Sequence, residues 1–232
     1  MRLAKFGPDL ARALAASELP VRWLVADDGS SAAEKEQLQT LVKQFSAVFD
    51  SIELYECAQR FRKGGAIYQA WDRNSDVSAV AFVDADGAIT AATVVEFLAA
   101  QMETQDAALV GVRKDTVDTP VNRPAGRALS FTLFTSLVRL LTGTHFKDTQ
   151  CGLKVIPAAM YRKVSGRLKE TGFVFDVELL VALKSNGVKI LERPISWSEM
   201  PDGKVHPLKD AWGMLIGLLR VRKRLKAGQY QL

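Results

Sequence analysis

The stretch Phe82–Gly87, FVDADG, decides both the fold class and the chemistry that this sequence predicts. It overlaps the apolar run Ala79–Val83 (AVAFV), which predicts a buried strand that ends just before two aspartates. Ionised carboxylates are costly to bury without a partner, so Asp84 and Asp86 call for a nearby cation. A divalent cation fits, because Mg²⁺ binds carboxylate oxygens together with phosphates and water. The residues alone leave open a simple turn at Asp86-Gly87.

Short apolar runs alternate with helical patterns on both sides of this motif. Strands are predicted at 21–26, 51–55, 79–83 and 107–112, and helices at 32–46, 64–73 and 90–104. This alternation predicts an α/β fold with a mainly parallel sheet and helices on both faces. Further along, the sequence predicts a buried helix at 129–141, a strand at 153–156, a helix at 175–185, an extended strand at 188–197 and a helical tail at 208–226.

Two further motifs stand next to predicted strand and helix ends. Asp27 and Asp28 follow the strand predicted at 21–26, although a loop or an N-cap would also explain them. The stretch RKGG (62–65) opens a helix, where glycines admit a ligand to free N–H groups and Lys63 adds charge for a phosphate. Its spacing is not that of a P-loop. Because parallel sheets bind ligands beyond the carboxyl ends of their strands, the two acidic motifs are expected to line one crevice.

The composition is that of a folded protein with a small positive charge. The chain has 232 residues, 48% of them hydrophobic and 25% charged, with a formal net charge of +5. This charge favours a polyanionic partner such as a nucleotide, a lipid phosphate or an anionic membrane. A nucleic-acid partner is not favoured, because the basic residues are scattered and do not alternate with aromatic ones. The two cysteines, Cys57 and Cys151, lie far apart and predict neither a disulfide framework nor a metal site.

The expected location is the cytoplasm, with peripheral contact at the inner face of the membrane. Residues 1–17 lack the apolar core of a signal peptide, and no apolar run reaches the roughly 18 to 20 residues that cross a bilayer. The basic helical tail leaves two alternatives open. It is either a solvated helix face or an interfacial helix that lies on anionic lipid with its apolar side down.

Five stretches of the chain occur in the order and rough spacing of family-two glycosyltransferases. They are VADDGS (25–30), RKGGAI (62–67), FVDADG (82–87), KDTQCGLKV (147–155) and GFVFDVELL (172–180). Over about Val21 to Val205 the chain resembles this family, and most of all its dolichyl-phosphate mannose synthase and dolichyl-phosphate glucosyltransferase branch. The resemblance implies a GT-A type, Rossmann-like α/β fold with a short basic C-terminal helix. One domain over 1–232 is expected, with a nucleotide-sugar half (1–112), an acceptor half (113–205) and an amphipathic helix (206–232).

The resemblance also implies roles for particular residues. Asp27 and Asp28 match the pair at the nucleotide's base and ribose, and Asp84 and Asp86 match the pair that binds Mg²⁺ or Mn²⁺. Asp86, Asp176 and Arg127 are the implied catalytic residues. The remaining implied contacts are Lys63 and Gly64 beside the donor, Arg113 near the diphosphate, Arg127 and Ser130 near a lipid phosphate, Asp148, Gln150, Asp176 and Glu178 on the acceptor side, and Lys204 in a closing loop. The residues alone also allow a tight turn for Asp148 and Gln150 and a helix cap for Asp176.

The implied reaction is transfer of a hexose, with inversion, from a UDP-glucose or GDP-mannose type donor to a polyprenyl or dolichyl phosphate. A hydroxyl acceptor would instead need a carboxylate such as Asp176 to accept its proton. One departure from the family is clear. Relatives usually begin with an apolar strand that ends in a Pro-x-Asn-Glu type motif, whereas this chain begins with a helical pattern. The alternative is therefore a catalytically impaired relative with an incomplete donor site. The sequence does not predict an oligomeric state.

Overall fold

The structure, a computed structural model, describes residues 2–122, 125–198, 200 and 207–232, and describes no side chain within 122–129 or 207–210. Its helices are Leu3–Ser17 (α1), Ala32–Ser46 (α2), Arg62–Asp72 (α3), Ala91–Glu103 (α4), Ala125–Thr142 (α5), Ala158–Ser165 (α6), Phe175–Ser185 (α7) and Pro207–Lys226 (α8). Its strands are Trp23–Asp27 (β1), Ile52–Glu56 (β2), Ala79–Val83 (β3), Ala107–Val112 (β4), Val121–Asn122 (β5), Leu153–Pro157 (β6), Lys189–Pro194 (β7) and Trp197–Ser198 (β8).

The strands form an α/β arrangement, which confirms the predicted fold class. The largest sheet has the order β3-β6-β4-β7, while β1 pairs with β2 and β5 pairs with β8. Three of the five ladders among the described residues are parallel. Strand β6 is antiparallel to both of its neighbours, β3 and β4, a direction that the sequence pattern did not predict. The strand predicted at 188–197 is divided into β7 and β8.

The sheet is interrupted between β1 and β3, which are not paired with each other in the part of the chain that the structure describes. Helix α1, the first element described, packs against α2 and α4 on either side of this break. Gly7 of α1 lies so close to Phe45 of α2 that a Cβ would stand 2.3 Å from the ring. On the open edge of β3, the indole Nε1 of Trp71 donates to the carbonyl of Ala81 at 3.0 Å. Helix α1 therefore packs on helices from both sides of the break, and Trp71 of α3 occupies part of the open edge of β3.

Helices cover both faces of the four-stranded sheet, as the sequence predicted. On one face, α1, α2 and α4 pack with Leu109, Leu153 and Val155 in a single buried cluster. On the other face, α3, α5, α6, α7 and α8 pack with Phe82 and Ile156. No described helix combines the length and the apolar character needed to cross a membrane.

Glu178 anchors α7 to the C-terminal part of the chain. Its fully buried carboxylate accepts the backbone N–H groups of Lys169 at 2.7 Å and Glu170 at 2.6 Å. It also accepts the hydroxyl of Tyr230 at 2.7 Å and lies 2.9 Å from Nη2 of Arg224 on α8. These contacts occupy both carboxylate oxygens. The geometry therefore does not favour the acceptor-side role predicted for Glu178. The charged side chain instead holds α8 and the C-terminal Tyr230 against α7.

We expect Glu178→Ala to lower the free energy of unfolding by about 3–5 kcal/mol, because it leaves two backbone N–H groups and the Tyr230 hydroxyl without their acceptor and removes one of the two carboxylates that face Arg224. Urea unfolding followed by circular dichroism measures the change. Glu36→Ala, at an exposed position of α2, is the matched control and should change it by less than about 0.5 kcal/mol. Equal effects of the two substitutions would contradict this assignment.

Candidate functional site

Asp84, at the exit of β3, joins three of the motifs that the sequence singled out. Its carboxylate Oδ1 lies 2.7 Å from Nζ of Lys63 at the start of α3. Its backbone N–H donates to the carbonyl of Gly152 at 2.9 Å. A Cβ at position 152 would stand 2.4 Å from Oδ2 of Asp84, so only glycine fits there without moving the carboxylate. The glycine of the DTQCG stretch therefore allows the start of β6 to lie directly against Asp84.

The segment Phe61–Lys63 links the acidic ends of β1 and β3. The N–H of Phe61 donates to Oδ1 of Asp28 at 2.5 Å, and two residues later Lys63 reaches Asp84. Arg62, between them, has a φ of 65°, a left-handed conformation that is unfavourable for a residue with a Cβ. Such backbone strain persists where neighbouring contacts fix it. Asp27 is almost fully buried, and its carboxylate oxygens accept the N–H of Ser30 at 3.2 and 3.3 Å, as in a turn.

A buried ion pair lies on the α7 side of this cluster. Lys154 of β6 is fully buried, and its Nζ donates to Asp176 Oδ1 at 2.5 Å and to the carbonyl of Cys151 at 2.7 Å. The ammonium groups of Lys154 and Lys63 lie 5.1 and 5.3 Å from the ring centre of Phe82. Burial raises the pKa of the Asp176 carboxyl, and the charges of Lys154 and Lys63 oppose this rise. Asp176 is thus a buried partner of Lys154 and not a helix cap.

Sequence reasoning missed Lys154, which it placed only in a strand. The available signal was one lysine inside the apolar run LKVI, directly after DTQCG. Because side chains alternate along a strand, Lys154 and Ile156 point to the α7 face of the sheet. Gly64 lies on the same face, where a Cβ would stand 2.3 Å from Cβ of Phe175. The structure therefore gives Gly64 a packing role at the start of α3.

Arg113 and Asp148, predicted at the diphosphate and on the acceptor side, pair with each other. Nε and Nη2 of Arg113 donate to the two carboxylate oxygens of Asp148 at 2.6 and 2.9 Å. Burial raises the pKa of Asp148, but the hydrogen bonds and the charge of Arg113 outweigh it, so the net pKa is lowered. The guanidinium also lies 5.3 Å from the ring centre of Phe131 and 5.4 Å from that of Trp197.

Gln150 lies at the rim of this pair. Its backbone N–H donates to Oδ1 of Asp148 at 3.1 Å, which is the tight turn that the sequence left open. Its side-chain Nε2 donates to the carbonyl of Phe173 at 3.1 Å. The DTQCG stretch therefore contacts the loop before α7 as well as the end of β3.

The other predicted residues are less closely connected to Asp84. Asp86 is half-buried, and its Oδ1 accepts the N–H of Ala88 at 3.0 Å in a turn. Ser130 is exposed on α5. Arg127 lies in α5 with a side chain outside the described part, and Lys204 lies outside the described residues.

Comparison with known proteins places these motifs in a family. The model described as Glycosyl transferase family 2 matches residues 9–165. The chain belongs to glycosyl transferase family 2. Among curated members, it is 29% identical over 225 residues to a dolichyl-phosphate beta-glucosyltransferase of Saccharomyces cerevisiae, covering 90% of this chain and 67% of that protein. It is 28% identical over 218 residues to the Homo sapiens protein of the same description, covering 90% and 65%. The chain thus spans about two thirds of these relatives.

Solved structures confirm the GT-A fold expected for a family 2 member. One of them is glucosyl-3-phosphoglycerate synthase from Mycobacterium tuberculosis in complex with Mn²⁺, UDP and phosphoglyceric acid. It superposes with a TM-score of 0.60 at 11% sequence identity, and the match covers 98% of this chain and 76% of that one. S. aureus TarS in complex with UDP superposes with a TM-score of 0.56 at 17% identity, covering 96% and 63%. At these identities the likeness concerns the fold alone.

The two carboxylates at the exit of β3, Asp84 and Asp86, could supply part of the ligand shell of a divalent cation. The described residues contain no group of three or more His, Cys, Asp or Glu side chains that would hold a metal by themselves. Asp84 is partly exposed, with 37% of its side chain accessible, and its carboxylate faces the ammonium group of Lys63. Mg²⁺ and Mn²⁺ sites that serve nucleotides commonly use one or two carboxylates and complete the shell with phosphate and water. Asp84 and Asp86 suit such a site.

We expect Lys154→Met to lower the free energy of unfolding by about 3–5 kcal/mol, because it leaves the Asp176 carboxylate buried without its partner. The double variant Lys154→Met/Asp176→Leu should recover most of this loss, since it removes both charges. Lys163→Met, at an exposed lysine of α6, is the control. A double variant no more stable than Lys154→Met alone, measured by urea unfolding, would contradict a pairwise interaction.

We expect Asp148→Asn to weaken the acid dependence of stability. The folded pKa of Asp148 lies below its ordinary value of 3.8, so the unfolded chain binds the proton more readily and stability rises with pH in that window. The wild type should therefore keep this contribution above about pH 4 and lose it as the pH falls through the folded pKa. Unfolding free energies measured from pH 3 to 7, in steps of about one unit, should fall less steeply at the acid end for the variant. An unchanged slope would disprove the prediction.

Proposed function

We propose that this chain transfers a hexose from a nucleotide-sugar donor to a polyprenyl phosphate. The observation that carries the proposal is the meeting of Asp84 with Lys63 and Gly152, because it unites the FVDADG, RKGG and DTQCG stretches at one strand end. The names of the curated relatives, dolichyl-phosphate beta-glucosyltransferases, supply the substrate class. On the same basis we propose glucose as the sugar and UDP as its carrier, with GDP-mannose as the alternative.

In this proposal the donor lies across the ends of β1 and β3. Asp27 and Asp28 face the base and ribose, and the diphosphate lies near Asp84, Asp86 and Lys63. A bound Mg²⁺ or Mn²⁺, held by Asp84 and Asp86 with the donor's phosphates, would offset the charge that develops on the leaving diphosphate. Lys63 supplies a second positive charge beside the same atoms, held in place by the aromatic rings of Phe82 and Phe175.

The proposed reaction is a single displacement at the anomeric carbon. An oxygen of the acceptor phosphate forms the new bond to that carbon, the bond to the diphosphate oxygen breaks, and the nucleoside diphosphate leaves with inversion. A phosphate oxygen is anionic at neutral pH and needs no general base. This agrees with the state of Asp176, which is 2% exposed and hydrogen-bonded to Lys154, and is therefore poorly placed to accept a proton.

A second candidate is a family 2 relative that binds a nucleotide but does not transfer sugar. The observation that favours it is the interruption of the sheet between β1 and β3, since the unpaired edge of β1 lies next to the Asp27-Asp28 pair. Donor binding and catalysis have to be measured separately to distinguish the two candidates.

We expect calorimetry to show Mn²⁺-dependent binding of UDP-glucose, and radiolabelled transfer to dolichyl phosphate in detergent. Asp84→Asn should reduce transfer by about 10²–10³-fold, because it removes a carboxylate that would hold the cation offsetting the negative charge of the leaving diphosphate. Asp106→Asn, at an exposed aspartate before β4, is the matched control and should retain activity. Binding without transfer would favour the second candidate. Absence of binding by UDP-glucose and GDP-mannose alike would overturn both.

A further inference from the structure

The loop between α6 and α7, residues 166–174, joins parts of the molecule that lie far apart in the sequence. We call it the α6–α7 loop. Its backbone carbonyl at Thr171 accepts the N–H groups of Gly64 at 2.8 Å and of Gly65 at 3.3 Å. One residue earlier, the carboxylate of Glu170 contacts helix α8. The loop therefore lies between the start of α3 and α8 and contacts both.

The contact with Thr171 fixes the start of α3. The first four N–H groups of an α-helix have no acceptor within the helix, and in α3 these belong to residues 62–65. The Thr171 carbonyl accepts two of the four. The approach is close, since a Cβ at Gly65 would stand 3.3 Å from the Cβ of Thr171. Two of the N–H groups that the sequence suggested for a ligand are thus bonded to the α6–α7 loop.

The start of α3 carries the cation of the candidate site. Lys63 directly precedes Gly64, and its Nζ lies 2.7 Å from Oδ1 of Asp84. The same ammonium group lies 5.7 Å from the ring centre of Phe175, the residue that follows the loop. A shift of the α6–α7 loop would therefore change the backbone support of Lys63 and one of the rings beside its ammonium group.

Helix α8 holds the other side of the loop. Nε and Nη2 of Arg220 donate to the two carboxylate oxygens of Glu170 at 2.8 and 2.7 Å, and Nη2 of Arg224 donates to Oε1 at 2.5 Å. Paired contacts of this kind between a guanidinium and a carboxylate fix the relative orientation of the two groups. Gly217 brings the helix close, because a Cβ there would stand 2.9 Å from Cγ2 of Val174.

Glu170 is held through both its backbone and its side chain. Its backbone N–H donates to the buried carboxylate of Glu178 at 2.6 Å. Burial would raise the pKa of Glu170, but the hydrogen bonds and charges of Arg220 and Arg224 outweigh this effect, so the pKa is lowered. Without the Glu170 side chain, Arg224 would still lie 2.9 Å from Glu178. The contact of Glu170 with α8 can therefore be removed while another ion pair keeps α8 attached to α7.

We propose that Glu170 is a positioning residue for Lys63. It ties the α6–α7 loop to α8, and the Thr171 carbonyl of that loop sets the start of α3 from which Lys63 reaches Asp84. The consequence for donor binding rests on the proposed function, in which Lys63 lies beside the diphosphate. The link from α8 to Lys63 does not depend on that function.

Two measurements on the whole chain test the link directly. Glu170→Ala should speed hydrogen exchange of the Gly64 and Gly65 amides by about tenfold or more, because their acceptor is no longer held in place. It should also speed reductive methylation of Lys63 by formaldehyde, since the ammonium group is less firmly held at Asp84. Lys35 is the internal reference, because its side chain is 32% exposed and paired with a carboxylate, compared with 29% for Lys63.

The matched control is Asn186→Ala at the opposite end of α7. Asn186 donates to the carbonyl of Tyr230 at 2.6 Å and so fastens the chain end to α7. This variant should leave exchange at positions 64 and 65 and methylation of Lys63 as in the wild type. Arg220→Ala removes a side chain that is 53% exposed, and should change both rates in the same direction as Glu170→Ala, but less, because Arg224 remains.

Calorimetry with UDP-glucose and Mn²⁺ tests the consequence for the donor. Glu170→Ala should weaken binding by about tenfold in the wild type and by much less in a Lys63→Met background, because the two residues act through one contact. Additive effects would overturn the positioning role. If the wild type does not bind UDP-glucose, the proposed function fails, and amide exchange and lysine methylation still decide the link.

The exchange and methylation rates also define the result that would overturn the link. It is overturned if folded Glu170→Ala behaves as the wild type or as Asn186→Ala does. If Glu170→Ala does not fold, unchanged rates in Arg220→Ala overturn it. Faster exchange at every amide, with no excess at positions 64 and 65, would show a general loss of stability and would equally overturn it.

Discussion

The packing of α7 against the four-stranded sheet depends on the buried ammonium group of Lys154. A charge removed from water is tolerated only with a close counter-ion and further hydrogen-bond acceptors. Asp176 and the carbonyl of Cys151 supply both. Because Lys154 is in the antiparallel strand β6 and Asp176 is in α7, their contact fixes the helix against the sheet. Phe175, next to Asp176, then sets the approach of α3 through Gly64.

The carboxylates around the crevice are largely balanced by cations of the chain itself. Lys63 faces Asp84, Lys154 faces Asp176, and Arg113 faces Asp148. The first pair is partly exposed, whereas the other two are buried or nearly so. A ligand with phosphates and a bound divalent cation could replace the contact between Lys63 and Asp84: its phosphates would face Lys63 and its cation would face Asp84. The two buried ion pairs would keep their contacts. The buried pairs therefore hold the geometry, and the exposed pair is the one suited to exchange.

The sequence predicted strands and helices well where the apolar pattern was short and bounded. The bounds of β3, β4, α2 and α7 agree with the structure. The direction of β6 was not predictable, because alternation shows which face a side chain takes and not which way the strand runs. Helix α3 begins at Arg62, two residues before the predicted start, where Phe61 bonds to Asp28 and Lys63 pairs with Asp84.

The candidate site was predictable as a set of motifs but not as a set of contacts. The motif order predicted Lys63 and Asp84 in one candidate site, and the structure places them 2.7 Å apart. Nothing in the spacing indicated that Arg113 would pair with Asp148, or that Glu178 would bind backbone N–H groups. Contacts of this kind join residues that lie far apart in the sequence. They depend on how the helices dock, which local patterns do not encode.

The interruption between β1 and β3 has a mechanical consequence. A ladder of backbone hydrogen bonds resists sliding, whereas packed side chains permit small shear displacements. Residues 61–63 also link the two sides of the crevice, since Phe61 contacts Asp28 and Lys63 contacts Asp84. Their middle residue, Arg62, holds a left-handed conformation under strain. A change in the backbone torsions of Arg62 would therefore move the groups that contact Asp28 and Asp84 relative to each other.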